Sequence, residues 1–201
     1  MLNTKINKIA KSFLIIGTIF MSACTSIPGK KGVIIDPGHG GKDSGAQRYG
    51  IKEKDITLSV AKKTANSLKS MGIPVVMTRT SDVFVSLPDR TKIARQHPGY
   101  VFVSIHGNDA KCSSVCGAET FYYMPSGHEL AKTILQKLSR HTTPRFCHKR
   151  ELHVLHHHPL AATLVEIGYL SNHRERTNLC NDIHQKRLAM AIASGISSFR
   201  P

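Results

Sequence analysis

Four side chains stand in or beside short apolar runs, and their types suit metal-assisted hydrolysis. His39 follows Val33-Ile34-Ile35 in Asp36-Pro37-Gly38-His39-Gly40-Gly41, and His106 lies in Ser104-Ile105-His106-Gly107-Asn108. Glu53 sits in Lys52-Glu53-Lys54-Asp55, and Glu166 lies inside Thr163-Leu164-Val165-Glu166-Ile167. Two imidazoles and one carboxylate form a common catalytic zinc set that leaves a fourth position for water. The ion lowers the pKa of that water and polarises a bound carbonyl. A further carboxylate is then needed to take the water's proton and pass it to the leaving nitrogen. Glu166 suits that role, because a charge within an apolar run needs a reason to be there. Spacing leaves other readings open. The chain has 12 histidines, and a histidine at a strand end is more often structural or exposed than a ligand. Glu53 reads on composition as surface charge, the glycines after His39 as a turn, and Glu166 as the partner of an arginine such as Arg79.

The elements that must position these residues alternate along the chain. Val33-Ile34-Ile35 is a buried strand stopped by Asp36-Pro37-Gly38. Helical spacing of Ile56, Val60, Ala61, Ala65 and Leu68 predicts a helix over 56–71, with Glu53 just before it. Strands are expected at 74–78, 100–105, 118–124 and 163–167, and helices at 89–96, 127–140 and 185–198. Strands separated by helices imply an α/β fold, a single domain with a mostly parallel twisted sheet and helices on both faces. In such sheets functional side chains gather past the carboxyl ends of strands, where three of the four candidates fall.

Charge and the N-terminus bound the setting. The formal net charge of +15 favours polyanionic partners, but the basic residues are scattered and no nucleic-acid motif is present, so nucleic acid is not expected. Lys5, Lys8 and Lys11 precede an apolar stretch over 12–22 that is short for a membrane span and right for an export signal. It ends in Met21-Ser22-Ala23-Cys24, which resembles a bacterial lipobox, with Met21 in place of the usual leucine. The reading is a signal over 1–23, a polar tether over 24–32 and a lipid anchor at Cys24 that holds the chain to a membrane. Cys112, Cys116, Cys147 and Cys180 remain, and in an oxidising compartment disulfides or free thiols are the plainer reading. A second zinc site from Cys112, Cys116, Cys147 and His148 is the alternative.

Five blocks in order carry a resemblance. VIIDPGHGGKDSGA at 33–46 looks like the opening motif of the amidase_3 type of N-acetylmuramoyl-L-alanine amidases. Glu53-Lys54-Asp55 with Leu58, then Thr78-Arg79 with Asp82, Leu87, Arg90 and Ala94, then SIHGN at 104–108, and LVEIGYLSN at 164–172 resemble the blocks that follow in that family. Residue by residue, the resemblance implies zinc ligands at His39, Glu53 and His106 and a catalytic glutamate at Glu166. It implies hydrolysis of the amide between N-acetylmuramic acid and L-alanine in peptidoglycan by a catalytic domain over 33–201, in wall remodelling or cell separation; the export signal sets that domain, expected to be a monomer, in the periplasm.

Departures and rivals are specific. Gly107 stands where the family has alanine, and Ala161-Ala162 where it has Pro-Ala. The cluster His153, His156, His157 and His158 is read as a solvated loop. The segment 127–153 looks too short for the inserted helix that blocks the zinc in regulated relatives, so activity without an activator is expected. One rival is a wall-binding protein without turnover. Another is acyl transfer at Ser59 with Lys62, the Ser-x-x-Lys spacing, although its Lys-Thr-Gly partner is missing.

Overall fold

The computed structural model describes residues 32–199; the expected signal, the lipobox with Cys24 and almost all of the tether lie outside the described residues. The order of elements is β1 (Val33–Pro37), β2 (Gln47–Arg48), β3 (Ile51–Lys52), α1 (Glu53–Ser70), β4 (Val75–Met77), α2 (Leu87–Arg95) and β5 (Val101–Asn108), followed by β6 (Ala118–Tyr122), α3 (Pro125–Leu138), β7 (Pro144–Lys149), α4 (His153–His156), β8 (Ala162–Tyr169), α5 (His173–Leu179) and α6 (Asp182–Ser198). Six strands form one sheet in the order β4-β1-β5-β8-β6-β7, and β2 pairs with β3 in a small hairpin. All pairings in the large sheet are parallel except that of β6 with β8. The expected mostly parallel α/β sheet is therefore present.

Side chains alternate across a strand, so one apolar run supplies two faces. Val33, Ile35, Val103, Ile105, Val165 and Ile167 turn to one face and pack with Val60 and Leu68 of α1, Leu130 and Ile134 of α3, and Leu188 and Ile192 of α6. Ile34, Phe102, Phe121, Ala162 and Leu164 turn to the other, where Ala94 of α2 and Val154 and Leu155 of α4 form a smaller cluster.

Three expectations change. The helix expected over 56–71 begins at Glu53, whose free N–H donates to Ala46 O (2.9 Å) while that of Lys54 donates to Ser44 O (3.1 Å). The returning loop thus satisfies the open N–H groups of the first turn. β7 escapes sequence reading because it is an edge strand with an exposed, polar pattern. The histidine cluster is not a solvated loop. It includes the short helix α4, whose Val154 and Leu155 are buried, and His158 is buried against Phe102 at 5.0 Å between rings.

Candidate functional site

The carboxyl ends of β1 and β5 and the first residue of α1 meet at one point. Glu53 Oε1 lies 3.0 Å from His39 Nε2 and 3.0 Å from His106 Nδ1. The donor atoms of His39, Glu53 and His106 all fall within 4.8 Å of one another, and this is the one such His/Cys/Asp/Glu group among the described residues. Glu53 is buried and takes two backbone N–H bonds as well, from Gly107 to Oε1 (3.0 Å) and from Ala46 to Oε2 (2.9 Å). The Gly107 N–H is available because the β5–β8 register shifts between His106 and Asn108. Burial pushes the Glu53 carboxyl up, but the hydrogen bonds of His106 and His39 outweigh it and hold the carboxyl well below the usual range. Burial lowers His39, and the hydrogen bonds and charges of Glu53 and Asp43 reverse this and raise it. Two imidazole nitrogens and a carboxylate oxygen converging from rigid elements fit a borderline divalent cation.

Two buried arginines fix the loop that carries His39. Arg90 donates to Pro37 O (2.7 Å), to His39 O (2.7 Å) and to the buried carboxylate of Asp36. Arg79 donates to Pro37 O (3.0 Å), Gly38 O (2.8 Å) and Lys54 O (2.9 Å). Arg79 is thus a clamp on the loop, not the partner of Glu166. Asp43 Oδ2 binds His39 Nδ1 at 2.9 Å, which orients the ring so that Nε2 faces Glu53. Two glycines are required by space. A Cβ on Gly38 would lie 2.3 Å from His106 Cε1, and one on Gly45, whose φ is +62°, would lie 2.5 Å from Glu53 Oε2.

Glu166 stands on β8 directly across from His106 on β5 and from Glu119 on β6. Cross-strand partners share a face, so the three side chains form a polar row on the α2/α4 side. Glu119 is held by Tyr169 Oη (2.7 Å) and Arg145 Nε (2.8 Å). Glu166 Oε2 is buried and has no hydrogen-bond partner. Burial pushes the Glu166 carboxyl up to about 7, with Glu53 and Glu119 adding and His106 and His39 opposing. A carboxylate with an unused lone pair and a pKa near neutrality is suited to general base and acid work. Beside the two imidazoles opens a recess of about 180 Å³ walled by Leu87, Leu152, Val154 and Leu164.

The structure brings His39, Glu53 and His106 together and sets Glu166 next to them. It does not assemble the rival sites. Ser59 Oγ donates to Gln185 Oε1 (2.7 Å) and accepts from Lys63 Nζ (2.8 Å), while Lys62, one residue earlier, is exposed. Cys112, Cys116, Cys147 and Cys180 are free thiols and join no metal group. Sequence reasoning passed over Asp43 and Glu119. The signal for Asp43 was a carboxylate four residues after His39; for Glu119 it was a charge opening an apolar strand.

Comparison with known proteins follows the same outline. A family model described as N-acetylmuramoyl-L-alanine amidase matches residues 33–198. The N-acetylmuramoyl-L-alanine amidase AmiC2 of Nostoc punctiforme is 38% identical with a TM-score of 0.81, over 84% of this chain and 96% of that one. The catalytic domain of CwlV, an N-acetylmuramoyl-L-alanine amidase from Bacillus (Paenibacillus) polymyxa, is 37% identical with a TM-score of 0.80, over 83% of this chain and 96% of that one. The probable cell wall amidase LytH of Staphylococcus aureus is 32% identical over 84% of this chain, which spans 58% of the length of LytH.

Proposed function

The chain belongs to the N-acetylmuramoyl-L-alanine amidase family, and from that premise we propose that it is a zinc hydrolase that cuts the amide between N-acetylmuramic acid and L-alanine, with His39, Glu53 and His106 as ligands and Glu166 as base. The observation that carries this reading is the convergence of the three donors within 4.8 Å beside a carboxylate that has no partner. Zinc held there supplies Lewis acidity toward the scissile carbonyl and a lowered pKa for water. The protein's own residues do the rest. Asp43 keeps the His39 ring turned toward the ligand point, and Arg79 and Arg90 keep its loop from shifting. Ionised Glu166 takes a proton from the attacking water as its oxygen bonds to the carbonyl carbon. The same carboxyl then gives that proton to the alanine nitrogen as the C–N bond breaks, leaving a free amine and a lactyl carboxylic acid, which loses its remaining proton to solvent. The apolar recess receives a methyl group flanking the amide.

The setting follows from the same reading. The chain is exported to the periplasm, anchored by lipid at Cys24, and acts on peptidoglycan in wall remodelling or cell separation. It works without an activator, because between α3 and α4 the described chain holds the edge strand β7 and no added helix. Digestion of purified peptidoglycan with and without chelator tests the chemistry. Free stem peptides, lost with chelator and restored by zinc, are expected; release of D-alanine, or cleavage only after a partner is added, overturns the corresponding part.

A further inference from the structure

The hairpin β2–β3 turns through Tyr49 and Gly50, with φ of 51° and 79°. Positive φ at both central positions marks a type I′ turn, which favours Asn-Gly and disfavours a bulky residue at the first position. Tyr49 accepts that conformation and leaves its side chain 86% exposed. Strain kept in place without burial calls for another use of the ring. One ring face carries the guanidinium of the buried Arg176, 4.4 Å from the ring centroid and itself tied to Leu170 O (2.8 Å). Around the ring lie two depressions of about 790 and 360 Å³, both bordered by Tyr49, Ser113 and Ser171. Asn172, Arg174 and Lys111 add amide and cationic groups to their walls. These walls follow the carboxyl ends of β5 and β8, and Arg48 of the hairpin is bridged to Asp109 at 2.6 Å. The ring therefore stands at the same sheet edge as the metal ligands, four residues before Glu53.

Resting on the amidase reading, we propose that Tyr49, backed by Arg176, is a stacking platform for a sugar ring of the glycan strand that carries the scissile amide. An open aromatic face takes the apolar face of a pyranose, while Ser171, Asn172 and Arg174 offer hydrogen bonds to its hydroxyl and acetamido groups, and the cations suit the lactyl carboxylates of the cleaved product. The platform acts in binding and takes no part in the bond-breaking step.

The test uses three proteins, the wild type, Tyr49→Asn and Tyr49→Phe, each titrated at fixed ionic strength with denuded glycan strands and, separately, with free stem peptide. Tyr49→Asn is expected to weaken glycan binding about five- to ten-fold and, by relieving the turn, to raise Tm by about 2–4 °C. Tyr49→Phe keeps the ring and is expected to bind glycan as the wild type does. Unchanged glycan affinity in Tyr49→Asn, equal loss in both variants, or a loss confined to stem peptide overturns the proposal. No turnover enters these titrations, so an absence of amidase activity is seen separately from an absence of glycan binding.

Discussion

The two faces of the central sheet differ in what their side chains are for. The face under α1, α3 and α6 is closed by fully buried residues such as Leu68, Ile134 and Ile192. The face under α2 and α4 has a small apolar cluster, and beyond it His106, Glu166 and Glu119 lie in one row. The same strands serve both, because alternation assigns Ile105 and Val165 to one side and His106 and Glu166 to the other. A sheet can therefore keep an unpaired carboxylate on one face when the other face supplies the stability.

The largest effect that would break this contrast is at Glu166. Glu166→Gln should lower release of stem peptides by at least about 100-fold, with thermal unfolding at neutral pH unchanged or shifted upward, since a buried carboxylate without a partner is removed. A parallel fall in activity and Tm would mean that the polar row is structural. On the closed face, Leu68→Ala should cost about 2–5 kcal/mol in denaturant unfolding while the remaining folded enzyme turns over normally. Between these lies Asp43→Asn, which leaves the three proposed ligands in place but weakens the hold on His39 Nδ1. It should reduce zinc affinity by about 10–100-fold in competition with a chelating dye, with Tm of the metal-free protein nearly unchanged.

The smallest effect is a pH profile of the chelated protein. The Glu53 carboxyl, held below its unfolded value of 4.5, contributes stability above that value that is lost as the pH falls through its folded pKa. Glu166 is raised from 4.5 to about 7, so its contribution is complete below 4.5 and is lost as the pH rises through 7. His39 is raised above 6.5, so its contribution is complete below 6.5 and is lost as the pH rises through its folded pKa. Tm should therefore peak in mild acid and decline toward alkaline pH, and Glu166→Gln should flatten the part of the decline between 4.5 and 7. A profile unchanged by that substitution would show that Glu166 titrates normally.

Much of this contrast was legible in the residues, and the exceptions have physical causes. Apolar runs such as 33–35 and 163–167 mark strands because both their faces are buried. The fold class followed from their alternation with helices. Glu53 was ambiguous because its neighbours in sequence, Lys52 and Asp55, are exposed, whereas its contacts, Ala46, Gly107 and the two histidines, come from other segments. Only the ordered family blocks singled it out. β7 and α4 were missed because one is an edge strand with little to bury and the other buries two residues in a run of histidines. The clamping roles of Arg79 and Arg90 depend on carbonyl groups, which carry no sequence signature.

The strand order also governs when the protein becomes complete. Among the described strands β8 is the last to be synthesised, yet it lies in the interior of the sheet between β5 and β6. A nascent chain that has made β1, α1 and β5 already holds His39, Glu53 and His106 but has no neighbour for the far edge of β5 and no Glu166. β6 and β7 must wait for the strand that joins them to the rest. The pairings of β8 with β5 and β6 are both long-range in sequence, and pairings of this kind form slowly in folding. The carboxylate that faces His106 thus joins the site only when β8 has emerged, whatever the earlier segments have already bound.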